Sequence, residues 1–429
     1  DPNEEPRNAH YISWYTDGPT KIAVAYCTID FQSDKSNQSK NSYIWDVENP
    51  SKPEMSLKPN SSLICLDYNP KDSHILVGGQ MNGQISYWDT RKGSRPVEST
   101  PIAVSHHDPV YSTLWLQSKS GSEFFSTSTD GCVLWWDIRK LNEPIEKTIL
   151  DPTKKNDPTK AHGAYCLEYE STIPTKFMAA TEFGTIFSCN RKAKTPQEKI
   201  VAVYSGHHGA IYSLQRNPYF IKNFLTVGDW TARIWSEDHR DHAIWWTDFD
   251  STQIMSGGWS PTRPGVFYTA KENGYVDIWD LIFKQKAPTL SIQVTDSPLY
   301  CAKISENGAL IATGARNGTT TLLRLSDGLV NMQRNEKALV SSIFERETRR
   351  EKIIETRHRE MKLKERVKSA TLDEEENDNY KQMVNDIDAE FEIIIEEKGE
   401  RDGKIKKMFE EIENWGNTKS VEEELPSNE

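Results

Sequence analysis

The sequence contains no apolar run near the ~20 residues that a helix needs to cross a bilayer; its pure runs, such as Ile393-Ile394-Ile395, are only a few residues long. A membrane-spanning helix is therefore excluded. There is no Gly-x4-Gly-Lys-Ser/Thr phosphate loop, no Gly-x-Gly-x-x-Gly, no His-Glu-x-x-His and no Gly-x-Ser-x-Gly. Nothing of that kind argues for an enzyme, and no cofactor or metal is expected. No two of the six cysteines form a Cys-x-x-Cys pair; Cys27, Cys65, Cys132, Cys166, Cys189 and Cys301 mostly sit in apolar, strand-like runs. They read as free buried thiols in a reducing compartment. Positive charge is also in deficit. The net charge of −12 over 429 residues argues against nucleic acid as the main partner, because phosphate neutralisation needs surplus Lys and Arg. There is no signal peptide, and the first residue is Asp1 rather than Met, so a native N-terminal segment is expected to be missing.

Aromatic residues, by contrast, are plentiful. They make up 10% of the chain and include 13 Trp, enough for a packed core. All Trp but Trp415 lie before residue 280. Charge divides the chain in the same way. Residues 334–368 carry a net +5 and residues 370–429 a net −13, which leaves the body nearly neutral. These shifts predict three regions: 1–332, a charged helix at 333–369, and an acidic tail at 370–429.

The body repeats. Trp45, Trp88, Trp136, Cys189, Trp235, Trp279 and Arg324 end similar strand-like segments at intervals of 43, 48, 53, 46, 44 and 45 residues. Before each such strand comes a run of small residues and a tight turn, as in Leu76-Val-Gly-Gly79 followed by Asn82-Gly83, or Ser126-Thr-Ser-Thr-Asp130-Gly131. Asn-Gly and Asp-Gly favour hairpin turns because both residues tolerate positive φ. Earlier still is an alternating run, such as Val110-Tyr-Ser-Thr-Leu114 or Leu299-Tyr-Cys-Ala302. Three or four short antiparallel strands repeated at this period predict a β-propeller. With Trp-Asp ending a strand, the repeats resemble the WD40 family. The resemblance implies an all-β, seven-bladed WD40 β-propeller followed by an α-helical, acidic C-terminal tail. Trp45, Trp88, Trp136, Trp235 and Trp279 are expected to fill the gaps between blades, with Asp130 and Asp229 in the turns. Cys189-Asn190 and Arg324 depart from the pattern.

Some segments are more specific. Gly228-Asp-Trp-Thr-Ala-Arg-Ile-Trp-Ser236 resembles the Asp-Trp-Thr-x-basic-apolar-Trp-Ser signature of dynein intermediate chains. Asn69-Pro-Lys-Asp-Ser-His74, Trp135-Trp-Asp-Ile-Arg-Lys140 and Phe344-Glu-Arg-Glu-Thr-Arg-Arg-Glu351 are similar to the axonemal outer-arm branch of that family. The resemblance runs from about residue 10 to about 368. It implies a non-catalytic subunit of a ciliary motor, found in the cytoplasm and the axoneme. Such a chain binds dynein heavy chains and pairs with a second intermediate chain. It is linked indirectly to the microtubule doublet and its docking proteins. Dynein light chains bind a segment ahead of the propeller that is absent here. Neither nucleic acid nor a membrane is an expected partner. A different WD40 adaptor, such as a ubiquitin-ligase substrate receptor, and a propeller enzyme are the alternatives.

His106-His107, His162 and His207-His208 precede early strands, and Asp130, Glu182 and Asp229 follow in the same repeats. A His–Asp pair can orient a general base. Recurrence at the repeat period favours a structural network instead, since one active site needs no copies. The sequence does not say which histidine of each pair faces inward. Trp230 follows Asp229 in a turn, where an exposed Trp would anchor a partner or pack on a neighbouring loop. Phe183, Tyr275, Arg316 and Asp108 occupy comparable rim positions. Trp245-Trp246 reads as an outer strand with one ring in and one out. In the charged helix, Arg349, Arg350 and Lys352 form a cationic patch suited to an acidic surface, on a helix expected to be largely solvated. Residues 373–378 read as an acidic linker and 380–397 as a short amphipathic helix carrying Met383, Ile387, Phe391 and Ile394. The last dozen residues read as disordered.

Overall fold

A computed structural model describes the backbone of residues 1–29 and 38–397. Seven antiparallel sheets follow one another in chain order among the described residues, and each is a blade of one propeller. Blade one has strands Asn8–Trp14, Lys21–Cys27, Ser42–Asp46 and Met55–Leu57. Blade five has Ile211–Arg216, Asn223–Gly228, Thr231–Ser236 and Trp245–Trp246. Blade seven has three, Leu299–Ile304, Leu310–Ala315 and Thr320–Arg324. The ring closes between blades seven and one: Trp14 Nε1 donates to the Lys303 carbonyl at 2.9 Å and Cys301 Sγ to the Ala9 carbonyl at 3.4 Å.

The repeat positions explain the packing. Trp88, Trp136 and Trp235 are fully buried and Trp279 nearly so, while Trp45 is partly exposed. Small residues on the neighbouring strand make room: a Cβ on Gly78 would lie 3.2 Å from the Trp88 ring and 2.9 Å from Leu63. In blade four Cys189 replaces Trp, and Phe187, Phe177 and Trp135 fill the same core instead. Arg324 replaces Trp at the end of an edge strand. No fourth strand covers it among the described residues, so its charge stays in solvent.

A helix spans Glu336–Glu397. Its first turns are not solvated as expected. Val340 and Phe344 are buried against Trp259 and Phe267. Arg263, itself buried, bonds Glu336 through Nε at 3.0 Å and Asp280 through Nη2 at 2.7 Å. The Glu336 carboxylate also accepts from the Gln333 amide at 2.8 Å, which satisfies an N-H ahead of the helix. Leu339 on the same turn is exposed, whereas the neighbouring Val340 and Phe344 are the residues that the ring buries. The compact unit that contains the propeller runs to Lys352, and a second unit begins at Ile353. Within the second unit the backbone stays helical through 373–378, where a linker was expected, since no Gly or Pro interrupts it. The tail from 398 on lies outside the described residues.

Candidate partner-binding surfaces

Two buried networks account for the His–Asp pairs. His106 Nδ1 lies 2.9 Å from Asp130 and its Nε2 lies 2.8 Å from Ser126 Oγ, which also accepts from Trp136 Nε1 at 2.9 Å. His207 repeats the pattern with Asp229 at 3.2 Å, Thr226 at 2.8 Å and Trp235 donating to Thr226 at 2.9 Å. The first histidine of each pair is thus the inward one. The second contributes its backbone: the amides of His107 and His208 donate to the same carboxylates. Burial pushes the Asp229 carboxyl up, but bonds from His207, His208 and Thr231 outweigh it and hold the group well below the usual range. Burial lowers the pKa of His207. Both side chains of that pair are fully buried, so a substrate has no path to them. These are structural clamps on the hairpins.

The predicted rim residues fall on one face. The turns that hold Phe183, Trp230 and Arg316 abut the loops leading into the next blade. A Cβ on Gly184 would collide with the His207 carbonyl, and Asp250 N donates to the Trp230 carbonyl at 3.1 Å. Trp230 is 47% exposed and Phe183 59% exposed, the latter ring tilted against His162 at 4.6 Å. Asp229 takes φ +48° to turn Trp230 outward, held there by its side-chain bonds. Tyr275 is partly exposed and its hydroxyl donates to Gln293; Arg316 and Asp108 are exposed. Near Trp230, Phe249 is 67% exposed. Trp245 packs on Phe267 and Trp279, while Trp246 is 52% exposed, one ring in and one out.

Arg349, Arg350 and Lys352 are not part of that face. Their helix lies over the loops at the other end of the strands, where Phe344 meets Phe220 and Val340 meets Gly265. Arg350 pairs with Glu347 at 3.2 Å and Arg349 with Glu345 at 3.9 Å. The named residues therefore form two surfaces, a rim and a helix flank.

Sequence reasoning missed a third feature, at the channel mouth. Each innermost strand carries a β-bulge one or two residues after its start, and the unpaired residues are His10, Ile64, Tyr111, Tyr165, Tyr212, Met255 and Tyr300. A bulge re-aims its side chain, and the aromatic ones line the channel as a collar. Successive rings touch: Tyr300 and His10 at 6.1 Å, His10 and Tyr111 at 6.3 Å, Tyr111 and Tyr165 at 4.4 Å, Tyr165 and Tyr212 at 5.9 Å. The signal was present as a Tyr at the same place in four repeats. The next residue on several strands ties blade to blade: Cys65 Sγ donates to Val110, Ser213 Oγ to Gly257 and Cys301 Sγ to Ala9. Burial pushes the Cys65, Cys166 and Cys301 thiols up to about 12, which leaves them unreactive.

The family model described as "Dynein axonemal intermediate chain 3 WD40 domain" matches residues 11–123 and 160–325, nearly the whole ring. The chain belongs to the axonemal dynein intermediate-chain family. Within it, similarity is high to "Dynein intermediate chain 3, ciliary" of Heliocidaris crassispina, 60% identical over 370 residues, 86% of this chain and 62% of that protein. "Dynein axonemal intermediate chain 2" of Homo sapiens is 55% identical over 400 residues, 92% of this chain and 66% of that protein. "Dynein, 70 kDa intermediate chain, flagellar outer arm" of Chlamydomonas reinhardtii is 45% identical over 394 residues, 91% of this chain and 69% of that protein. The chain spans about two thirds of the length of these intermediate chains. The rim aromatics and the channel collar are thus features of an intermediate-chain propeller.

Proposed function

We propose that this chain is a non-catalytic scaffold subunit of ciliary outer-arm dynein. It binds the heavy-chain tail, pairs with a second intermediate chain and supports arm assembly, docking to doublet microtubules and ciliary motility. Light chains join through a segment ahead of the propeller, and the protein resides in the cytoplasm and the axoneme. The observation that carries this reading is the intermediate-chain match across the ring, joined to an exposed Trp230 on a rim whose His–Asp pairs are sealed from solvent. Aromatic anchors of this kind dominate protein interfaces. The test is affinity purification of the tagged full-length protein from ciliary extract, with salt washes and mass spectrometry. Recovery of outer-arm heavy chains, a second intermediate chain and light chains is expected. Recovery of ubiquitin-ligase subunits, or of the protein alone with a turnover activity, would overturn it.

A further inference from the structure

The collar encloses a cavity of about 310 Å³ at the channel mouth, floored by Tyr11 and Lys303. Tyr111, Tyr165, Tyr212 and Tyr300 line it, and acidic groups stand near two of them. Glu182 is close enough to act on Tyr165, and Glu272 on Tyr212. On the innermost strands, three residues beyond the bulged Ile64 and Tyr165, stand Asp67 and Glu168. Lys303 acts on both, and its ammonium lies 5.0 Å over the Tyr11 ring. The cavity thus already holds a cation on an aromatic face, and two carboxylates beside it share that one Lys303. Arg216 also acts on Glu168 but is engaged by Glu237 at 2.7 Å. When both channel acids are ionised, negative charge is left over beneath a ring of tyrosine faces.

We propose that this collar is a binding site for a basic side chain, an arginine presented by a partner protein, with its guanidinium stacked on Tyr165 and Tyr212 above the Asp67 and Glu168 carboxylates. A planar cation suits tyrosine faces, and the attraction grows when the pair is desolvated. The volume lies at the lower end of that typical for ligand sites and accommodates a side chain better than a folded element. The site is separate from the exposed rim aromatics, so it stands whether or not those bind a heavy chain.

Proton linkage follows from the same surroundings. Burial pushes both channel carboxyls up to about 7. The groups facing Asp67 are Tyr11, Cys65, Thr113 and Lys303; those facing Glu168 are Cys166, Tyr169, Arg216 and Lys303. The thiols and phenols stay neutral near pH 7, and burial lowers the pKa of His10, so the two carboxyls are what titrates. A bound cation favours their ionised forms, releases protons near neutrality and binds more tightly at pH 8 than at pH 6.

The experiment uses the whole chain and N-acetyl-arginine amide as the probe, followed by saturation-transfer NMR and calorimetry at pH 6 and pH 8. N-acetyl-norleucine amide and N-acetyl-glutamate amide are the controls. The arginine probe is expected to bind about tenfold more tightly than the norleucine probe, a difference of about 1.4 kcal/mol. Its affinity should rise with pH and its binding should release protons. Glu168→Gln is expected to weaken binding and flatten the pH dependence. Tyr165→Phe should retain binding, and Tyr165→Leu should lose it. Thermal melts of each variant separate lost binding from lost fold, and Glu168→Gln carries the test if Tyr165→Leu does not fold. Equal binding of the norleucine probe, tighter binding of the glutamate probe, or no binding of the arginine probe at either pH would overturn the proposal.

Discussion

Blade five and the channel bury carboxylates in opposite ways. Asp229 sits in a fully sealed pocket yet is held far below the ordinary carboxylate range, because His207, the His208 amide and Thr231 all bond to it. Asp67 and Glu168 have lost water without comparable partners, and burial raises both to about 7. Burial alone therefore predicts neither the sign of a shift nor its role. What decides is whether the chain supplies donors to replace the lost water. The sealed pairs hold hairpins together, whereas the channel acids keep unspent charge for a ligand. The Arg263 anchor under the helix belongs with the first group, since it pairs two buried carboxylates at once.

The contrast can be broken most strongly at that anchor. Arg263→Ala leaves Glu336 and Asp280 buried without their cation, and should cost about 3–5 kcal/mol. The expected readouts are a lower melting temperature and faster amide exchange over 336–352. Asp229→Ala is next. It strands the His207 ring and the Thr231 and His208 donors, for about 1–3 kcal/mol, measured by denaturant unfolding. Glu168→Gln should do the reverse, stabilising the fold at pH 8, because a desolvated charge is removed.

The two regions should also give opposite limbs in a plot of stability against pH. Glu168 and Asp67 ionise near pH 4 when unfolded and near 7 when folded, so the folded state holds extra protons in between. Their contribution is full below about pH 4 and is lost as pH rises through 7. His207 has a folded pKa below its unfolded value of ~6.5, so its contribution is full above that value and falls as the pH drops. Melting temperatures from pH 5 to 8 should therefore flatten on the alkaline side in Glu168→Gln and on the acid side in His207→Gln. The smallest effect on stability is expected at the rim. Trp230→Ala should shift unfolding by no more than about 0.5 kcal/mol, yet reduce heavy-chain recovery in the purification. Unchanged recovery would remove Trp230 from the interface.

Much of the architecture was legible because it repeats. Seven similar segments near one interval announce a ring, since each blade must bury its face against the next. The Trp positions and the Asp130 and Asp229 turns could be read for the same reason. The sequence set Trp230 in a turn but left open whether its ring faces out or packs on a neighbouring loop; the structure leaves it 47% exposed. The collar tyrosines were visible only as a recurring letter. Their meaning depends on a bulge, which no pattern of hydrophobicity encodes.

The amino-acid sequence by itself determined the blade period and most of the buried tryptophans. These rest on local periodicity and on residue size. The tertiary structure alone decided which histidine of each pair turns inward and which face gathers the rim aromatics. It alone joined Arg263 to Glu336, 73 positions away, and brought Asp67, Glu168 and Lys303 into one channel. Those outcomes depend on blades meeting in space. The electrostatics of a buried group are set by what it meets there, not by its neighbours along the chain.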